Sequence, residues 1–243
     1  MSVEFKLLPP ANAVKFLENK GFHIGFDWRD TAKEMHDVSF TVAKITQRDI
    51  LEDVKREIDK AISQGLPFAE FQDNLVPTLA KKGWWGEREV VDELTGEIKK
   101  VNFNPARLRK IYDTNLRVAY SEGQWEKIQK LQKVFPYLEY VGCNSARPRT
   151  DHCSWSGIVL PVNHPWWLAH YPPKEWGCKC TVRQLTKSQA ANAGISEEAP
   201  QETFVEWTND RTGKVEKVPQ GVHPAFNRPP GTWLQHLQTI ERE

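Results

Sequence analysis

Thiols, imidazoles and indoles crowd into one stretch of this 243-residue chain, Arg147 to Cys180, which reads RPRTDHCSWSGIVLPVNHPWWLAHYPPKEWGCKC. It holds three of the four cysteines, three of the seven histidines and four of the ten tryptophans. Cys178 and Cys180 stand two residues apart, so in an extended chain both side chains point to one face and two sulfurs can meet one ion. His152 and Cys153 lie upstream, with His164 and His170 between. A structural zinc takes four ligands from such a set. The quartet with the cleanest spacing is His152, His164, Cys178 and Cys180, with Cys153 or His170 as alternates. The spacing is not that of a finger, where C-x-x-C pairs are usual. Read without a metal, Cys178 and Cys180 are small buried hydrophobes, and the histidines are surface or capping residues.

Other chemistries draw on the same residues. A Cys153 thiol beside His152 and Asp151 has the makings of a nucleophile with its base. Adjacent residues rarely point at one another, however, and catalytic groups are assembled across a fold. Arg147 and Arg149 near His152 suit a phosphate, or anchor a loop through its carbonyls, the more ordinary use. Trp155, Trp166, Trp167 and Trp176 either stack bases or form the core of a loop-built subdomain; the core is the reading adopted here. No phosphate-binding loop, dinucleotide fingerprint, nucleophile elbow or H-E-x-x-H occurs, which weakens the case for an enzyme.

Pro148, Pro161, Pro165, Pro172 and Pro173 each remove a backbone donor in this stretch, leaving little room for a regular helix. Rigidity must come from a metal or from aromatic packing, and from the elements on either side. Thr46 to Asp49 reads as a capping pair opening a helix, with Ile50, Leu51, Val54, Ile58 and Ile62 at helical spacing and Gly65 and Pro67 closing it. Phe68, Phe71, Leu75 and Leu79 predict a second helix that Pro77 bends or ends and Gly83 stops. Trp84-Trp85-Gly86 follows as an aromatic knuckle, then two β-prone runs flanking Leu94-Thr95-Gly96 predict a hairpin. Asn104-Pro105 predicts a helix start, running to Gly123 and resuming to about Val134. Tyr137 to Val141 reads as a strand, Lys187 to Pro200 as a short helix and linker, and Phe204 to Val218 as a second hairpin. A terminal helix is expected from Thr232 to Glu243. The fold class is therefore α+β: a mostly helical N-terminal and central part, short β-hairpins, and a compact loop-rich Pro/Trp/Cys subdomain. Expected boundaries are 1–103, 104–187 and 188–243.

Composition bounds the partners. The chain is 39% hydrophobic and 27% charged, as expected of soluble globular material. No apolar run reaches the roughly 18 residues of a membrane span. The start, MSVEFKLLPPANAV, lacks the apolar core of a signal peptide, which predicts a reducing cytoplasm and free or metal-bound thiols. A net charge of +1 argues against wholesale electrostatic binding of nucleic acid. From Ala106 to Lys133 seven basic residues face three acidic ones, a local excess that on a helix is more often a solvated face than a DNA patch.

The order R-x-R-x-x-H…G…P…W…PP…WGCKC resembles the phage Mu protein F-like family of head morphogenesis proteins. The matching residues are Arg147, Arg149, His152, Gly157, Pro161, Trp167, Pro172, Pro173, Trp176, Gly177, Cys178 and Cys180. Ile111 to Tyr120 is similar to the helix preceding this motif in the family, Phe40 to Lys44 and Gly83 to Gly86 to features of the N-terminal half, and Gly221 to Phe226 with Pro230-Gly231 to the C-terminal segment. Where relatives often carry an acid before the two arginines, this chain has Cys143 to Ala146. The resemblance implies a non-enzymatic minor head protein of a tailed phage or prophage, made in the host cytoplasm and built into the inside of the virion head. Its implied partners are the portal protein, the major capsid protein and packaged DNA near the vertex where DNA enters. The competing expectations are a metal-dependent nuclease or peptidase of head maturation and a DNA-binding packaging accessory.

Overall fold

A computed structural model describes residues 10–31, 35–142 and 147–233. The described residues fall into two compact units, one running to Gly123 and one beginning at Gln124. The cut lies inside a long helix, away from the boundaries expected at 103 and 187. Cys143 to Ala146 and most of the expected terminal helix lie outside the described residues.

The first unit opens with α1 (Ala11–Glu18), β1 (Gly21–Phe22), α2 (Met35–Val38) and β2 (Ser39–Phe40), the two short strands pairing in parallel. Its core is the pair α3 (Arg48–Gln64) and α4 (Phe68–Lys81). Ile50, Leu51, Val54, Ile58 and Ile62 of α3 and Phe71, Leu75 and Leu79 of α4 are fully buried, as their spacing requires; each is worth about 1.5–3 kcal/mol out of water. Gly65 ends α3 in the left-handed region at φ 69°, a conformation glycine adopts without a Cβ penalty. Three expectations are corrected. α3 begins at Arg48, with Gln47 in place of Thr46 at the cap position and no side-chain cap; the Gln47 amide oxygen accepts from Trp84 Nε1 at 2.8 Å. α4 continues through Pro77, which lies on its exposed side where water can take up the freed carbonyl. Gly123 does not interrupt the third long helix, α5 (Pro105–Leu131); a Cβ there would stand 2.8 Å from the Ala13 backbone nitrogen, so the glycine serves a close helix approach. β3 (Gly86–Val91) and β4 (Ile98–Phe103) form the first hairpin, and Asn104 Oδ1 accepts from the Arg107 amide at 3.0 Å to open α5.

The second unit is built on a three-stranded antiparallel sheet in the order β6-β5-β7: β5 (Tyr137–Val141), β6 (Val159–Pro161) and β7 (Thr181–Leu185). Between the strands the Pro- and Trp-rich stretch makes only two five-residue helices, α6 (Thr150–Ser154) and α7 (Trp166–His170). α8 (Lys187–Ala193) follows, capped by Thr186 and Gln189, then the hairpin of β8 (Phe204–Thr208) and β9 (Val215–Pro219). Trp155, Trp166, Trp167, Tyr140, Tyr171, Cys178 and Cys180 share one buried cluster. The tryptophans are thus core, with Trp176 half-buried against His223 and Phe226. Among the described residues no helix is long and apolar enough to cross a membrane.

Candidate metal centre

Three elements bring the donors together. α6 carries His152, and the turn after Pro173 carries Cys178 and Cys180 up to the start of β7. Gly177 sits at φ 68°, which lets the Cys178 amide turn back to the Glu175 carbonyl at 3.1 Å. Arg149 Nη2 donates to the Trp176 carbonyl at 2.7 Å, so this motif arginine anchors the same turn. Arg147 is exposed.

His152, Cys178 and Cys180 are 1%, 1% and 4% exposed, and one donor atom from each lies within 4.8 Å of the others. His152 Nδ1 stands 3.5 Å from Cys178 Sγ and 3.7 Å from Cys180 Sγ. A tetrahedral zinc with bonds of about 2.3 Å to sulfur and about 2.0 Å to nitrogen would set that N···S edge at about 3.5 Å. The geometry and donor types therefore fit a metal ion. His152 Nε2 lies 2.8 Å from the Gly221 carbonyl; a carbonyl only accepts, so Nε2 carries the proton and Nδ1 presents its lone pair to the sulfurs. The imidazole stacks on Trp155 at 4.9 Å, which holds the ring plane.

The two thiols differ in acidity. The hydrogen bond from Cys180 holds the Cys178 thiol down to about 6, against burial, and backbone bonds from Lys174 and Cys180 help. That same bond, and then burial, push Cys180 up to about 12, with His152 and Tyr140 beside it opposing the rise. The pair thus favours one thiolate and one thiol, sharing a proton that a metal cation would displace.

The structure does not bring the other sequence candidates into this cluster. His164 Nδ1 accepts from the Trp166 amide at 3.1 Å, a local cap at the start of α7, as in the metal-free reading of that residue. His170 lies flat on Trp166 at 4.3 Å with Nδ1 3.1 Å from the Trp166 carbonyl, and Cys153 is exposed. Of the remaining motif residues, Trp167 is fully buried and bonds the Pro161 carbonyl through Nε1 at 3.0 Å. Pro172 and Pro173 are joined by a cis peptide, and Gly157, at φ 84°, donates to the Tyr140 carbonyl. In the basic stretch on α5, Arg107 lies over Phe103 and Arg109 over Phe68.

Sequence reasoning missed Tyr140 and Gly221. The alternation in Tyr137 to Val141, with Leu138 and Tyr140 inward, could have found the tyrosine. Gly221 stands in the segment similar to the family's C-terminal part, but nothing local assigns it to a histidine 69 residues away.

Comparison with known proteins adds an independent line. A family model described as phage Mu protein F like protein matches residues 52–183, a span that includes His152, Cys178 and Cys180. The chain is 35% identical over 189 residues to the putative capsid assembly protein F of Escherichia phage Mu, covering 77% of this chain and 43% of that protein. It is 31% identical over 173 residues to the Mu-like prophage FluMu F protein of Haemophilus influenzae, covering 71% and 41%. The chain thus spans less than half the length of these curated relatives. No solved structure matches it.

Proposed function

We propose a non-enzymatic structural role in the phage head for this chain, which belongs to the phage Mu protein F-like family. It acts in head morphogenesis as a minor head protein, docking on the portal or the inner capsid wall near the vertex where DNA enters. The name of the phage Mu relative, a putative capsid assembly protein, supports this reading.

The observation that carries the structural role is burial of the donor set. Cys178 and Cys180 belong to an aromatic core that includes Trp155, and His152 stacks on that ring. A metal enclosed there would fasten the chain, whereas a catalytic metal needs a position open to substrate; the described residues supply three of the four ligands a structural zinc takes. Two thiolates and an imidazole suit zinc. The zinc clasp gives a rigid face to a segment whose own backbone bonding is sparse, which is what a protein that must hold its shape against portal or capsid needs.

The test is recovery of the tagged full chain from cells assembling heads, followed by identification of co-purifying proteins and of the chain in finished particles. Portal or major capsid protein should co-purify in amounts set by head assembly. Absence of the chain from both procapsids and finished heads would overturn the assignment.

A further inference from the structure

His152 has two ends, and each is engaged. Nδ1 faces the sulfurs, while Nε2 meets the Gly221 carbonyl at 2.8 Å. A ligating histidine commonly donates its other N–H to a carbonyl or carboxylate, and that partner fixes the ring for the metal. Gly221 belongs to a C-terminal segment that is fastened to the same part of the molecule at further points. Gln220 Nε2 donates to Asp151 Oδ1 at 3.2 Å, the His223 amide donates to the Lys174 carbonyl at 2.9 Å, and Lys174 Nζ donates to the Phe226 and Arg228 carbonyls. Gly221 itself is at φ 80°, and a Cβ there would come within 2.7 Å of Asp151 Cβ and 2.9 Å of the Trp155 ring. Only glycine lets this carbonyl reach the imidazole.

We infer that the Gly221 carbonyl is the outer partner of the metal centre, and that zinc bound by His152, Cys178 and Cys180 latches residues 203–228 onto the Asp151–Cys178 region. The inference rests on the zinc reading of the site. Zinc on Nδ1 fixes the tautomer, so Nε2–H points permanently at Gly221; without zinc the imidazole exchanges tautomers and the bond is lost for part of the time. Gly221 lies beyond the residues matched by the family model, so the centre is completed by sequence outside the matched region, and its occupancy reports on that segment.

The test uses the full chain and zinc itself. Zinc affinity is measured by competition with a chromophoric chelator for the wild type, Gly221→Ala and Gly194→Ala. Gly194 is also at positive φ but has nothing within 4 Å of an added Cβ, so it controls for backbone strain alone. Gly221→Ala should bind about 10–100-fold more weakly, and Gly194→Ala within about twofold of wild type. In parallel, zinc should slow hydrogen exchange at the Gln220, Val222, His223 and Phe226 amides of the wild type, and a chelator should restore fast exchange; this decides the matter should Gly221→Ala fail to fold. Zinc binding with unchanged exchange in the segment, or a folded Gly221→Ala with wild-type affinity, overturns the latch and leaves the zinc site standing. A folded wild type that takes up no zinc overturns both.

Discussion

The α3–α4 pair and the Arg147–Cys180 region bury apolar side chains equally well, yet they reach that state by opposite routes. In the helical pair, backbone bonding runs within each helix apart from the carbonyl freed by Pro77, and the apolar stripe at Ile50, Val54, Ile58, Leu75 and Leu79 follows from the helical period. Around His152, Cys178 and Cys180 the helices are five residues long, too short to persist alone. There the side chains bind the backbone: Trp167 holds the Pro161 carbonyl, Arg149 that of Trp176, His152 that of Gly221 and Lys174 those of Phe226 and Arg228. A region assembled in this way depends on a few particular groups, whereas the helical pair spreads its stability over many.

The contrast makes predictions of decreasing size. Cys178→Ser should abolish zinc retention and unfold the second unit, since structural zinc in small domains contributes roughly 10–16 kcal/mol, as much as a whole domain's stability; zinc content and tryptophan near-ultraviolet dichroism report it, and a folded variant with native dichroism would break the contrast. Trp167→Ala should cost about 3–5 kcal/mol, read from denaturant midpoints, since it loses a fully buried indole and the bond to Pro161. Leu75→Ala should cost about 2–5 kcal/mol, and chelator should not change that loss; a chelator-dependent cost would mean the two regions are not independent in their supports.

A pH dependence distinguishes the second unit further. Burial holds His170 down to about 4, with Lys174 and His152 adding to the effect and the Trp166 carbonyl opposing it; Glu202 lies 3.5 Å from Nδ1. Because the folded value is below the ordinary 6.5, the unfolded chain takes up the proton first as pH falls. The contribution is therefore whole above pH 6.5 and is lost on the way down to about pH 4, by at most about 3 kcal/mol. Denaturation curves across this range should fall less steeply for His170→Gln than for wild type, and parallel curves would remove His170 from the account. The smallest effect is Asn104→Ala, which removes the cap of α5 and should lower the thermal midpoint by the equivalent of about 1 kcal/mol.

The same contrast governs how much the sequence reveals. Helices α3, α4 and α5 and both hairpins were legible because periodicity and turn residues are local signals. Their errors are local too: Gln47 gave its side chain to Trp84, Pro77 found an exposed face, and Gly123 met the Ala13 backbone. At the centre, His152, Cys178 and Cys180 were legible by residue type and by the two-residue cysteine spacing. His164 carries the same chemistry but spends Nδ1 on the Trp166 amide, and no spacing rule separates a capping histidine from a ligand. Gly221 contributes only a backbone carbonyl, a group every residue has, so its role exists only in the folded chain.

The most direct measurement is the metal content of the full chain purified without a histidine tag, combined with circular dichroism before and after chelation. The account predicts one tightly held zinc per chain, and on its removal a collapse of the near-ultraviolet tryptophan signal with most of the helical signal retained. A metal-free protein with an intact near-ultraviolet spectrum would contradict it.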